Sequence, residues 1–303
     1  MNLPEGLQKQ VTAAWGERGA RWLEELPGIL EDILEHWSLT LEAPLPDLGY
    51  HYLAYVRTSR GRGAVLKLGV PDRELGTEIR FLQAADGGPV VRLLQADPGR
   101  GVLLLDTIRP GRPLSTLEND QQAARIGARL IEEMPLSVPA EHDFPTLTGW
   151  IRAFSRLRVR HDGGSGPLPD RVLARAEGLY ADLSASRPEP RLLHGDLHHD
   201  NILRDQEDGW AVIDPKGVIA DPAYEAARFQ HNPIPAVLSQ DRPVEFVRRR
   251  LLILEDALGF DRRRLLGWAY VDAVLSACWS LEEGAAGWRT MLAWIEVYEK
   301  LLG

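Results

Sequence analysis

Residues 192–203 read LLHGDLHHDNIL. Two carboxylates (Asp196, Asp200), one amide (Asn201) and three histidines (His194, His198, His199) stand between two apolar runs. Asp196 and Asn201 are five apart in a loop. The following pattern, NILRD and WAVID around QEDG, predicts a hairpin that ends on Asp214. A hairpin returns its outer ends to each other, so Asp214 is expected beside Asn201. One amide oxygen and one carboxylate suit magnesium, a hard ion that keeps several waters and takes its other ligands from phosphate. Asp196 is then left to accept a proton.

Two other readings of the stretch compete. A zinc site would use His194, His198 and His199, but the Gly195-Asp196 step breaks any helix that would align them, and the single cysteine, Cys278, leaves little sulfur to contribute. A polar turn without chemistry accounts for any one of these residues, and His194 alone reads as a histidine that packs the loop. The upstream half of the chain weighs against both. Lys67 ends a strand pattern, AVLKLG, and a helix follows with Glu74 and Glu78 on one face, either of which could hold the lysine. Glu78 is preferred, because it precedes the apolar pair Phe81 and Leu82 that would dock the helix. A strand lysine, a loop Asp, an Asn five residues later and a downstream Asp follow the order used by protein kinases.

The elements that must position these residues can be read from periodicity. Apolar residues at helical spacing run through 5–37, with Pro27 expected to split them into two helices. Residues 38–70 alternate in short runs and predict three antiparallel strands. A helix over about 73–85 and strands near 90–95 and 101–106 follow. DTIRPGRPL, residues 106–114, interrupts all periodicity and reads as a hinge. Beyond it the chain is mostly helical: about 117–133, 147–158, 170–185, 221–231, 243–257, 262–283 and 287–301. HDGGSGPLPD, residues 161–170, is expected to be a flexible connector. The division predicted is a helical N-terminal extension over 1–37, a small sheet-bearing lobe over 38–108 and a large helical lobe over 109–303, an α+β class.

With 303 residues the chain can bury a core without disulfides, and its one cysteine allows no intrachain bridge, which fits a reducing cytoplasmic compartment. The N-terminal MNLPEGLQKQ lacks the basic start and apolar run of a signal peptide. The longest apolar stretch, near 269–281, is broken by Asp272, so no membrane span is expected. A net charge of −9 argues against nucleic acid and favours a cationic small-molecule partner. Only four of 35 basic residues are lysines, and Lys67 and Lys216 are the two in interior apolar contexts. A compact ammonium there marks a site that a planar guanidinium would not fill. Acids suited to a guanidinium or ammonium substrate are Glu282, the first choice, and Glu283 after Trp279, and Asp221 and Glu225 after the metal motif.

HGDLHHDN followed by IDPKGVIADPAYEAA resembles the signature of the aminoglycoside phosphotransferases. The DPKG form with LSACWSLEE is most similar to the streptomycin 6-phosphotransferase branch, grouped with hydroxyurea resistance kinases. The resemblance covers about 38–303. It implies a two-lobed protein-kinase-like fold, with ATP in the cleft and a helical substrate region in the large lobe. It further implies Asp196 as base, Asn201 and Asp214 as Mg²⁺ ligands, Lys67 on nucleotide phosphates, and backbone near Asp106–Ile108 pairing with adenine. Lys216 has two readings, beside the transferred phosphoryl group or paired locally with Asp221 or Glu225. Two departures from protein kinases stand out. Glycine precedes Asp196, so no arginine there can read a phosphorylated activation loop. The nucleotide loop LPDLGYHYL has one glycine, Gly49, in place of three, and backbone amides around Tyr50 and His51 are expected to cover the phosphates. The activity implied is O-phosphorylation of an aminoglycoside, with streptomycin first, by a monomer or homodimer. The alternatives are a kinase for a sugar, cyclitol or hydroxyurea-like compound, and a nucleotide-binding pseudokinase, against which the intact Lys67, Asp196, Asn201 and Asp214 set argues.

Overall fold

The computed structural model describes residues 3–45, 49–134, 136–186, 188–206, 209–232 and 237–303. The chain divides into two compact units, residues 1–109 and 110–303. Residues 46–48 of the expected nucleotide loop and the tip of the expected hairpin, 207–208, lie outside the described residues.

The first unit is a five-stranded antiparallel sheet in the order β1-β2-β3-β5-β4, from β1 (Leu39–Pro44), β2 (Tyr52–Thr58), β3 (Gly63–Leu68), β4 (Leu93–Asp97) and β5 (Val102–Asp106). Two helices accompany it, α1 (Glu5–His36) and α2 (Arg73–Ala85). The period-2 pattern buries Tyr52, Ala54 and Val56 of β2 in one core with Leu66 and Leu68 of β3. Leu7, Val11, Trp22, Leu26, Leu30 and Ile33 of α1 join the same core. The segment the sequence sets apart as an extension is therefore packed on the sheet.

The break in α1 falls at Gly16 rather than at Pro27. Gly16 adopts φ 55° and ψ −133°, a region that only glycine enters readily, whereas Pro27 lies inside the continued helix. A proline removes one N–H, and a helix anchored on both sides by Trp22, Leu26, Leu30 and Ile33 passes over that gap. Asp72 caps α2 by accepting the Leu75 N–H at 2.9 Å, and its other oxygen accepts the Trp15 Nε1–H at 3.1 Å. Thus α1 braces the start of α2.

In the second unit β6 (Arg191–Leu193) pairs with β9 (Val218–Ala220), and β7 (Ile202–Arg204) with β8 (Trp210–Val212), each antiparallel. The second pair is the expected hairpin; the first was not legible locally, because its strands are three residues each. The helices are α3 (Asp120–Glu133), α4 (Leu147–Arg160), α5 (Asp170–Ala185), α6 (Pro222–Gln230), α7 (Pro243–Leu258), α8 (Arg262–Glu282) and α9 (Trp288–Leu302). α8 is buried almost all round, from Leu265 to Cys278, as a helix apolar on every face must be. The 161–170 connector is a bonded turn: Gly163 N–H donates to Arg158 O at 2.8 Å, and the buried Ser165 hydroxyl to Asp170 at 2.7 Å. Among the described residues no helix is long and apolar enough to cross a membrane.

Candidate active site

In the first unit Lys67 lies opposite Leu53 of β2 and Leu103 of β5, on the central strand of the sheet. Its Nζ is 2.7 and 2.8 Å from the two carboxylate oxygens of Glu78, and both residues are buried. Glu74, the other candidate on α2, is exposed. Asp106 ends β5, where its N–H donates to Arg92 O at 2.9 Å and its side chain caps Thr107 N–H and pairs with Arg62. Ile108 follows outside the strand. Tyr50 is half exposed and stands edge-on to Trp15.

In the second unit the loop begins where β6 ends. His194 is fully buried; its Nε2 donates to Ile213 O at 2.8 Å and its Nδ1 accepts the Asp196 N–H at 3.1 Å. Acceptance at Nδ1 requires the neutral ring, and burial pushes its pKa down to about 4. The histidine packs and orients the loop, as its sequence context indicated. Gly195 follows at φ 79°, and a Cβ there would meet Val218 Cγ1 at 2.8 Å and Trp150 Cη2 at 2.9 Å. Gly195→Ala is accordingly expected to cost about 1–3 kcal/mol of stability and to lower kcat by displacing the adjoining Asp196. A thermal melt with kcat measured below the transition checks both.

Asn201 donates from Nδ2 to Asp196 O at 3.0 Å, while its own carbonyl accepts the Ile213 N–H at 2.9 Å. That second bond places Asp214, one residue on and at φ 63°, beside Asn201, as the hairpin argument required. The 213–217 segment also wraps the loop, since the Lys216 and Gly217 N–H groups both donate to His194 O. The three histidines do not converge: His198 Nδ1 accepts the Asp200 N–H, and His199 stacks on Phe229 at 4.3 Å.

Sequence reasoning missed Arg228. Its Nη2 and Nε donate to Oδ1 of Asp196 at 2.8 and 3.3 Å, and its Nη1 lies 3.0 Å from Oδ2 of Asp272 and 2.9 Å from Ser276 Oγ. Asp272 is completely buried in α8, where it also receives the Tyr224 hydroxyl and bonds His231 Nε2 at 2.7 Å; His231 Nδ1 meets Tyr298 OH at 2.8 Å. Burial alone would raise the pKa of Asp196; the positive charges of Arg228, Lys216 and His198 offset this and hold the carboxyl below its ordinary range. Two signals were available: Glu225 and Arg228 are one helical turn apart, and Asp272 is an acid inside an apolar helix, a position that demands partners.

Residues 36–284 match the family model described as aminoglycoside/hydroxyurea antibiotic resistance kinase. The chain belongs to this family. It is 31 % identical over 287 residues to a streptomycin 6-kinase of Streptomyces glaucescens, covering 94 % of this chain and 93 % of the relative. It is 34 % identical over 291 residues to a hydroxyurea phosphotransferase of Kitasatospora aureofaciens, covering 94 % and 82 %. Among solved structures, aminoglycoside phosphotransferase APH(4)-Ia superposes with a TM-score of 0.63 at 15 % identity, covering 91 % of this chain and 98 % of that one. The fold is thus protein-kinase-like, and the chain is an ATP-dependent phosphotransferase that acts on hydroxyl groups.

Within this kinase two of the acids named for the substrate are used internally. Asp221 caps α6 through the Ala223 N–H, accepts Trp268 Nε1–H and pairs with Arg264. Glu225 is buried and its two oxygens accept the Gly195 N–H, each at 3.2 Å, so it supports the loop from behind. Asp221 caps α6 and Glu225 lies in its first turn directly after β9, so both follow the metal motif closely in sequence while their side chains are committed to internal partners. Trp279 is half-buried and edge-on to Trp150 at 5.5 Å. Glu282, beyond it, is bonded at 2.7 and 3.0 Å by Arg156. The Lys216 charge reaches Asp196, and its backbone belongs to the loop.

Burial pushes the Glu225 carboxyl up from 4.5 to about 7, against the lowering effect of the Gly195 N–H. The folded state therefore binds more protons than the unfolded state between those values. Stability is lost as pH rises from about 4.5 to about 7 and is level above that. In Glu225→Gln this component is expected to vanish. The melting temperature of the native protein should fall relative to the variant across that window, and parallel curves would exclude the assignment.

Proposed function

We propose that this kinase transfers the γ-phosphoryl group of ATP to a hydroxyl of an aminoglycoside, streptomycin first, and that it does so in the cytoplasm. The observation that carries the reading is the Asp196 carboxylate, gripped on one oxygen by Arg228, in a residue whose backbone carbonyl accepts from the Asn201 amide, with Asn201 tied in turn to Ile213 next to Asp214. The streptomycin 6-kinase relative at 31 % identity supports the substrate class, and the net charge of −9 favours a cationic acceptor.

In this reading Asp196 orients the acceptor hydroxyl and takes its proton, and Lys67, held by Glu78, offsets charge on the nucleotide phosphates. Catalysis is then mostly positioning and electrostatics. Magnesium fits Asn201 and Asp214: Asn201 commits its amide nitrogen to Asp196 O, which leaves the amide oxygen as the ligand atom beside an exposed carboxylate. Held there by Asn201 and Asp214, the ion would supply positive charge that offsets the charge of the phosphates. Backbone near Asp106 and Ile108 is proposed to pair with adenine, and Lys216 to approach the transferred group. Trp279 and Glu282 remain the proposed substrate contacts, at the outer end of α8.

The test is Mg-ATP consumption, read as ADP, with streptomycin, a deoxystreptamine aminoglycoside, hydroxyurea and simple cyclitols as acceptors. Turnover with streptomycin alone supports the reading. Turnover with hydroxyurea alone favours the second reading, which the hydroxyurea phosphotransferase relative at 34 % identity makes specific.

A further inference from the structure

We propose that Arg228 is a positioning residue that commits Oδ1 of Asp196 and so leaves Oδ2 as the atom that receives the substrate proton. The proposal rests on Asp196 being the acceptor, as argued above.

The geometry is asymmetric. Nη2 and Nε of Arg228 both address Oδ1, at 2.8 and 3.3 Å, and among the described residues no hydrogen bond reaches Oδ2. A guanidinium is a rigid plane, so fixing one edge fixes the other. The far edge is fixed three times over: Nη1 lies 3.0 and 3.3 Å from the two Asp272 oxygens and 2.9 Å from Ser276 Oγ. Asp272 is itself held by Tyr224 OH and His231, and His231 by Tyr298. The orientation of one carboxylate in the loop is thereby referred to α8, the buried helix of the unit, and through His231 to Tyr298 of α9. Glu225 grips Gly195 and Arg228 grips Asp196, so a single turn of α6 holds two successive loop residues.

The charge balance follows the reaction. The substrate oxygen forms its bond to the γ-phosphorus as the bond to the ADP oxygen breaks, and that electron pair leaves with ADP. The hydroxyl proton passes to Oδ2, and Asp196 becomes neutral. A buried guanidinium facing a neutral acid would be uncompensated. Asp272, completely buried, keeps its negative charge and holds Arg228 in place through the turnover.

The experiment compares Arg228→Ala, Arg228→Lys and Ser276→Ala with the native kinase by ADP release, with streptomycin and hydroxyurea as acceptors. Arg228→Ala is expected to lower kcat by about 10²-fold, the scale of a 1 Å misplacement, with the KM for ATP unchanged. Dilute guanidinium chloride should restore part of that loss where equal sodium chloride does not. Arg228→Lys, a point charge that cannot span Asp196 and Asp272 together, should fall between, and Ser276→Ala should lose less. A parallel fall of kcat, folded fraction and melting temperature, without guanidinium rescue, would show an arginine that is merely structural and would overturn the proposal. Crystal structures of the native protein and Arg228→Lys need no acceptor: Oδ1 is expected to leave its present orientation in the variant, and an unmoved carboxylate overturns the proposal. Absence of turnover with both acceptors in the native protein would count against the substrate reading, and the crystal structures would still decide the positioning role.

Discussion

Asp196→Asn is expected to lower kcat by about 10²–10⁴-fold, the range for losing a positioned general base, and to leave ATP affinity nearly intact. The substitution is close to isosteric. The amide oxygen can still accept from Nη2 and Nε of Arg228, and the backbone bonds to His194 and Asn201 are unaltered, so the loop keeps its shape. Arg228 also retains Asp272, which limits the loss of stability. What disappears is an oxygen able to take a proton. Single-turnover ADP release beside ATP titration separates the two effects, and a variant that still turns over acceptor at the native rate would remove Asp196 from the acceptor role.

Lys67→Met is expected to be the most damaging change to the first unit. It deletes the ammonium that pairs with both oxygens of Glu78 and leaves a buried carboxylate without that counter-charge. Breaking a buried pair from one side costs about 3–5 kcal/mol, and activity should fall because nothing else on β3 offsets phosphate charge. The double variant Lys67→Met with Glu78→Leu distinguishes the two roles. It should recover most of the stability, since an apolar pair of similar volume fills the site, yet remain inactive. Denaturant unfolding gives the first quantity and ADP release the second; recovery of activity in the double variant would show that Lys67 serves only to neutralise Glu78. A smaller loss in Lys67→Arg than in Lys67→Met is not expected, because the larger planar head must fit a site only 5 % exposed.

The candidate site was legible because its parts are local. Asp196, Asn201 and Asp214 lie within one loop and one hairpin, and hairpin pairing alone brings Asp214 back to Asn201. Lys67 and Glu78 lie on a strand and the helix after it. Their meeting needed only strand alternation and the docking of Phe81 and Leu82, both buried. Helix positions followed from apolar periodicity, and the sheet from short alternating runs.

What the sequence by itself determined, then, is the motif set, the α+β elements and the family resemblance, each encoded over a few to a few tens of residues. Only the tertiary structure decided the fate of the remaining polar groups. The kink at Gly16 in place of Pro27 depends on how α1 meets the sheet. Glu225 turned out to support Gly195 across 30 residues of chain, and Arg228 to reach back 32 to Asp196 and forward 44 to Asp272. Tyr298 joins the same array through His231, 67 residues away. No local propensity marks such contacts, because a buried charge takes whatever partner the packing of α6, α8 and α9 brings within reach, and that choice is made by burial, which penalises every unpaired alternative.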